Sequence, residues 1–298
     1  MKLTYLLLTA LTILSCSSNE DKKIVKLMTL DPGHFHAALI QKTSYENIDS
    51  TVDVYAPEGP EVSTFLKSID AYNNRETNPT NWSINTHLGN NYLEQMIFEK
   101  PGNVMVVSGK NSKKIDYILA AVTAGLNVYA DKPLVTNPDG LKKLEEVFRI
   151  AKDNNVLVYD IMTERFEVTT GIQKALSMVS SVFGELLVGT PENPAISKES
   201  IHHLFKYVSG KPLVRPAWFL DTEQQGEGII DVTTHLVDLI QWEAFPNQII
   251  QKTDIDMLSA KRWPTILSKD QFKKITGLDS YPNYLEKDKI ENDLHVYC

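Results

Sequence analysis

The sequence predicts an α/β protein: an N-terminal domain built on a parallel sheet with helices on both faces, then an α+β open-sheet domain that is incomplete. Three observations lead there. Short apolar, β-prone runs alternate with helical patterns from Ile24 to Asp160, which is how a chain covers both faces of a parallel sheet. One of those runs closes on a lysine followed by a proline, Lys132-Pro133. Past Asp160 the alternation stops, Pro and Gly become frequent up to Pro216, and a later amphipathic helix carries Asp231 and His235.

Residues 1–23 stand outside the fold. Lys2 precedes an apolar run, Leu3–Leu14, too short for a bilayer, which takes about 20 residues. It reads as the apolar region of a secretory signal. It ends in Leu14-Ser15-Cys16, which resembles a bacterial lipobox. Lipidation at Cys16 would anchor an exported protein at the bacterial envelope. The alternatives are an ordinary signal peptide with a chance cysteine, or a cytoplasmic protein whose signal is unused. The lipidated reading is preferred because the small residue and the cysteine sit where the apolar run stops.

The first strand is Ile24–Leu30, followed by an Asp31-Pro32-Gly33 turn and a helix over His34–Lys42. Val52–Ala56 is the second strand, closed by Pro57 and by Gly59-Pro60. The polar stretch containing Asn73, Asn74, Asn78 and Asn81 reads as a loop or insertion. Trp82–His87 is a strand, Tyr92–Lys100 a helix and Val104–Ser108 a strand. Ile115–Ala124 is a helix stopped by Gly125. Val128–Ala130 and Val156–Asp160 are strands flanking an amphipathic helix, Leu141–Asn154. This is the pattern of a dinucleotide-binding (Rossmann) domain over 24–160, with right-handed crossovers.

Residues 161–298 form the second domain. Val168–Val182 reads as a helix, Gly184–Gly189, Ile249–Asp254 and Met257–Ala260 as strands, and a polar helical region follows. Leu294–Cys298 reads as a strand just beginning. A sheet lacking later strands would present unpaired edges.

The 42% apolar and 23% charged composition is that of a soluble globular chain. A net charge of −8 without a Lys/Arg run argues against nucleic acid as a partner. The two cysteines, Cys16 and Cys298, make neither a disulfide framework nor a metal site.

Ligands of a parallel sheet bind at the carboxyl ends of its strands. The first turn, Asp31-Pro32-Gly33-His34-Phe35-His36, holds one glycine where a pyrophosphate-binding turn has three, and Asp31 would repel a phosphate unless it faces away. His34 and His36 have a spacing that suits two metal ligands on a strand. They stand at a helix start, without a nearby Cys or clear acidic partner, so no metal is expected. Ala56 occupies the place of the ribose-binding acid; Glu58 either reaches round the turn to replace it or is a solvated loop residue. Lys132, restricted to extended geometry by Pro133, lies at the ligand edge of the sheet. Their peptide bond is a candidate for cis.

Gly226–Trp242 leads two glycines into an amphipathic helix. At about 100° per residue, Asp231, His235, Asp238 and Trp242 share one face, and Ile229, Val232, Leu236 and Ile240 take a core face. An Asp and a His one turn apart can share a hydrogen bond that suits the imidazole to general-base work.

These motifs resemble the glucose–fructose oxidoreductase and inositol dehydrogenase (Gfo/Idh/MocA) family over about Lys26–Phe245, in its lipoprotein branch with a distinctive oxidoreductase C-terminal domain. Ala124-Gly125-Leu126-Asn127-Val128-Tyr129-Ala130-Asp131-Lys132-Pro133 matches the family's Ala-Gly-x-x-Val strand and Glu-Lys-Pro motif, with Asp131 replacing Glu. Gly33-x-x-His36-Ala37 matches the last fingerprint glycine and its followers, and Asp231-x-x-x-His235-x-x-Asp238 the second-domain motif. The resemblance implies catalysis by Lys132, Asp231 and His235, with His235 the base. It implies NAD or NADP held by Asp31, Gly33, His34, Phe35, Glu58, Ser108, Lys132 and Pro133.

The expected function is hydride transfer between nicotinamide and a secondary alcohol of a sugar, cyclitol or glycoside. One alternative is a glycosidase that retains NAD and acts by transient oxidation and elimination. Another is a non-catalytic carbohydrate-binding lipoprotein. A homo-oligomer through the second-domain sheet would suit the family.

Overall fold

The computed structural model describes residues 24–201, 203–208 and 210–297; the signal region with Cys16, and Cys298, lie outside them. Six strands form a parallel sheet: β1 (Leu27–Leu30), β2 (Thr51–Ala56), β3 (Ser83–Leu88), β4 (Val104–Val107), β5 (Asn127–Asp131) and β6 (Val158–Ile161). Their spatial order is β3-β2-β1-β4-β5-β6, and every pairing is parallel, as in Leu30 opposite both Tyr55 and Val107. This is the doubly wound order, whose direction reverses between β1 and β4.

The helices between strands are α1 (His36–Leu39), α2 (Pro60–Asn73), α3 (Tyr92–Glu99), α4 (Asn111–Thr123) and α5 (Pro138–Asp153). Both faces of the central strands are covered. Met28, Leu30, Met105, Val107, Val128 and Ala130 pack against α4 and α5 residues such as Ile118 and Val147. Leu27, Val52, Val54 and Val106 pack on the other side against Ala37, Phe65 and Ile69. That two-sided burial is why these strands read as nearly continuous apolar runs. Helix α5 starts where Pro138 takes the first position and the Asn137 side chain accepts the Gly140 N–H at 3.0 Å.

Two expectations for this domain need correction. Helix α2 was missed: Val62, Phe65 and Ile69 repeat at helical spacing and are buried, but the asparagines after them drew the segment into a loop. The first helix is only four residues, His36–Leu39, not His34–Lys42; the N–H groups of Gly33 and His34 are bonded to the Ser108 carbonyl instead.

The remainder contains α6 (Val168–Ser177), α7 (Ser180–Phe183), the hairpin β7 (Tyr207–Val208) and β8 (Lys211–Pro212), α8 (Thr222–Gln225), α9 (Gly228–Asp231), α10 (Thr233–Ala244), β9 (Thr265–Leu267), α11 (Lys269–Thr276), β10 (Lys289–Ile290) and β11 (Asp293–Val296). Its core gathers Trp218, Phe219 and Leu220 with Leu267, Phe272, Leu285, Leu294 and Val296. Strand β11 is the middle of a three-stranded antiparallel sheet, bonded to β10 and β9. Gly184–Gly189 is not a strand: Leu187 and Val188 are exposed without a neighbouring strand to bond. Ile249–Asp254 and Met257–Ala260 also form none; residues Lys252–Asp254 make a 3₁₀ turn. The single helix read over Val168–Val182 is broken into α6 and α7 at Met178 and Val179. Among the described residues no helix is long and apolar enough to cross a membrane.

Candidate active site

The site lies where β1, β4, β5 and β6 end. Counting from the end of β1, Asp31, Gly33 and His36 take the three positions of a G-x-G-x-x-G turn. Asp31 adopts a left-handed φ of 44°, and its carboxylate turns away to accept the Tyr117 hydroxyl at 2.8 Å. His36 is buried at the position of the glycine that normally lets helix and strand pack closely.

The crevice where the strand order reverses is closed. The N–H groups of Gly33 and His34 donate to the Ser108 carbonyl at 3.0 and 3.1 Å, joining the ends of β1 and β4. A Cβ at Gly109 would lie 2.3 Å from the Asp31 carbonyl oxygen, so only glycine admits this approach. From the second domain, Trp218 lies over the turn: a Cβ at Gly33 would be 3.1 Å from its Cζ2. The Trp218 indole donates to Glu61 at 3.1 Å. What remains between Asp31, Gly33, Pro57, Lys110 and Trp218 is about 40 Å³, far below the few hundred Å³ of a usual ligand pocket. Glu58 is exposed and does not line that space. Pro32, Gly33, His34 and Phe35 of the same turn also line a larger cavity of about 410 Å³.

Asp131, the last residue of β5, is the electrostatic centre. Its Oδ1 pairs with the ammonium of Lys114, which also donates to Asn111 Oδ1 at 2.6 Å and to the Asp131 and Pro133 carbonyls at 2.8 and 3.2 Å. Its Oδ2 accepts from Ser108 Oγ at 2.7 Å and lies 3.1 Å from His34 Nδ1 and 3.5 Å from His36 Nδ1. Burial alone would raise the Asp131 carboxyl; the Lys114 charge and the two imidazoles outweigh it and hold it well below the usual range. Burial, reinforced by His36, brings His34 down to about 4. Phe35 packs its ring against both histidines.

Lys132 follows, its peptide bond to Pro133 cis. Its ammonium reaches Asp231 Oδ1 at 2.7 Å and the Asp231 carbonyl at 2.5 Å, joining β5 to the end of α9. The structure thus brings Lys132 and Asp231 together. It places His235 differently from the expectation: the helix breaks at Val232, and His235 Nδ1 lies 2.6 Å from Glu164 Oε2 instead of sharing Asp231 as its partner. Burial would raise Glu164, but His235 pulls it below the ordinary carboxylate range. Asp238 pairs bidentately with Arg165, and Trp242 lies under the Lys174 ammonium, 3.9 Å from its ring centre. Ile229, expected in the core, is exposed, while Leu239 is the buried residue of α10.

Residues missed from sequence are Lys114, Glu164, Arg165 and Trp218. Lys114 had a signal: it falls in helical phase with Asn111, Ile118 and Ala121 on the buried face of α4. Glu164 and Arg165 open a 3₁₀ turn three residues past the end of β6. A cavity of about 410 Å³ opens beside the turn, lined by His34, Phe35, Phe65, Trp218 and Tyr284; Lys132, Asp231 and His235 do not line it.

Residues 172–298 match the family model "Putative oxidoreductase C terminal domain". The chain is 55% identical to a "putative oxidoreductase" from Parabacteroides merdae, with a TM-score of 0.89 over 93% of this chain and 63% of that one. At 14% identity it shares the fold of GenD2 from gentamicin A biosynthesis, solved in complex with NAD, with a TM-score of 0.51 over 83% of this chain and 58% of that one. At 17% it shares the fold of a "putative oxidoreductase" from Thermotoga maritima, with a TM-score of 0.50 over 74% of this chain and 58% of that one. The chain is thus similar to an oxidoreductase over most of its length, and its residues 172–298 match the C-terminal domain that this model describes. It spans about three fifths of the length of these solved structures. No curated protein matches it.

Proposed function

We propose that the protein is an oxidoreductase acting on a secondary alcohol of a sugar, cyclitol or glycoside. The carrying observation is the assembly of Lys132 with Asp231, and of His235 with Glu164, at the ends of β5 and β6. Lys132, tethered by Asp231, holds the substrate oxygen and stabilises negative charge that develops on it. Glu164 beside Nδ1 orients the His235 ring, leaving Nε2 to take the hydroxyl proton. Asp231 is a positioning residue, fixing the Lys132 ammonium by the 2.7 Å contact to its carboxylate.

A nicotinamide dinucleotide as hydride acceptor is supported by the fold it shares with the NAD-bound relative. Gly33 and His34 line a cavity of about 410 Å³ that also meets Trp218, and this reading places the cofactor's phosphates against that turn. The single glycine of the first turn favours a second reading: a carbohydrate-binding protein without redox turnover on an altered dinucleotide scaffold. In both readings the protein is exported and lipidated at Cys16, which labelled palmitate tests: uptake is expected in the wild type and lost in Cys16→Ser.

The deciding experiment is a panel of cyclitols, sugars and glycosides with NAD⁺ and NADP⁺, followed by absorbance of the reduced nicotinamide. Turnover that falls at least about 100-fold in Lys132→Met and in His235→Asn supports the oxidoreductase, since a positioned acid–base group contributes about 10²–10⁴-fold. Turnover indifferent to both substitutions removes the assignment of roles. Tight sugar binding without turnover selects the second reading.

A further inference from the structure

We propose that His34, His36 and Asp131 form a binding site for a divalent transition-metal ion, zinc being the best match, at the carboxyl end of β5. This goes beyond the oxidoreductase reading and does not depend on it. In sequence the two histidines lack an acidic partner; the fold supplies one by bringing the first turn against β5. Asp131 Oδ2 lies 3.1 Å from His34 Nδ1 and 3.5 Å from His36 Nδ1. Ligand atoms held about 2.0–2.1 Å from a tetrahedral zinc stand about 3.3 Å from one another. Both distances to Asp131 are near that value, and the three ligand atoms lie within 4.8 Å of one another.

Two further observations point to a ligand. Both Nδ1 atoms are buried and face the same Asp131 oxygen, and the His36 residue is 8% exposed. Two imidazole nitrogens converge on one buried carboxylate oxygen that already accepts from Ser108, a nitrogen–oxygen donor set that a divalent metal can share. The surroundings also suit a metal ligand: Ser108 Oγ and Lys114 bond the Asp131 carboxylate from outside, as outer-shell groups do when they orient a ligating carboxylate. His34 also lines the 410 Å³ cavity, giving a route for a water or substrate oxygen to a fourth position. Three protein ligands with one open position is the pattern of catalytic rather than structural zinc. The ammonium groups of Lys114 and Lys132 oppose a dication here, which makes the affinity lower than that of the same ligands in a neutral setting.

The test is titration of chelator-stripped full-length protein with zinc chloride, read by calorimetry and elemental analysis, with Co²⁺ as a spectroscopic probe. One ion per chain and the visible bands of four-coordinate Co²⁺ are expected. His36→Gln and Asp131→Asn should each weaken zinc binding by at least about 100-fold, since loss of even an outer-shell group costs 10–100-fold. His34→Gln alters only the partly exposed ligand, so it keeps the test open where Asp131→Asn fails to fold. No zinc uptake by the folded wild type, or uptake that the folded variants retain, overturns the proposal. The trio is then a polar junction between the first turn and β5 only.

Discussion

Replacing Lys114 by methionine should cost the fold about 3–5 kcal/mol, the range for removing one partner of a buried ion pair. Methionine keeps most of the stem's volume, so packing changes little and the loss is electrostatic. The Lys114 side chain is fully buried, and its ammonium serves Asn111 Oδ1, the Asp131 and Pro133 carbonyls and the Asp131 carboxylate. Without it Asp131 remains a buried anion in contact with Ser108 and two imidazoles. Against a total stability of about 5–15 kcal/mol for a domain, that loss is large. Lys114→Met/Asp131→Asn removes the stranded charge too and should recover more than half of it. The assay is urea unfolding at neutral pH with EDTA present, which removes any metal contribution. A single-variant loss below about 1 kcal/mol, or a double variant no better than the single, would refute the reasoning that the stranded carboxylate carries the cost.

Other perturbations address the turn, the helix starts and the acid side. Trp218→Ala should open the space over Gly33 at a cost of about 3–5 kcal/mol for a buried aromatic. It should tighten NADH binding, measured by nicotinamide fluorescence; unchanged affinity would mean Trp218 does not limit dinucleotide binding. Asn137→Ala deletes the cap of α5 and should lower stability by about 1 kcal/mol in a thermal melt. Glu164 is depressed in the fold by His235, so its contribution is fully present above the unfolded value near 4.3 and is lost as pH falls through the lower folded value. Acid titrations of stability for wild type and Glu164→Gln should therefore converge as pH falls below about 4.3; parallel curves would show that the contact contributes nothing.

The sheet was legible because its signal is local and redundant. A strand buried on both faces must be apolar along its whole length, and Val104–Val107 or Val128–Ala130 can hardly be read otherwise. Lys132 was legible for a similar reason: a charged residue directly after such a strand has to emerge at the ligand edge. Helix α2 was equally present, in Val62, Phe65 and Ile69, and was hidden only by the weight given to nearby asparagines. In the second domain the apolar runs around Leu187 and Ile249 carry a strand-like pattern, but a strand exists only when another segment bonds to it, and that is a tertiary fact.

The sequence by itself determined the α/β class, the strands and the position of Lys132 at their ends, because periodicity and burial are written into neighbouring residues. Only the tertiary structure decided the partners. It gave Asp231 to Lys132, Glu164 to His235 and Lys114 to Asp131, and laid Trp218 on Gly33, pairings between residues far apart in the chain. It also supplied the carboxylate that His34 and His36 lack in sequence. The physical reason is that charge pairing and metal geometry depend on distances of a few ångströms, set by how distant segments cross, which no local pattern of side chains encodes.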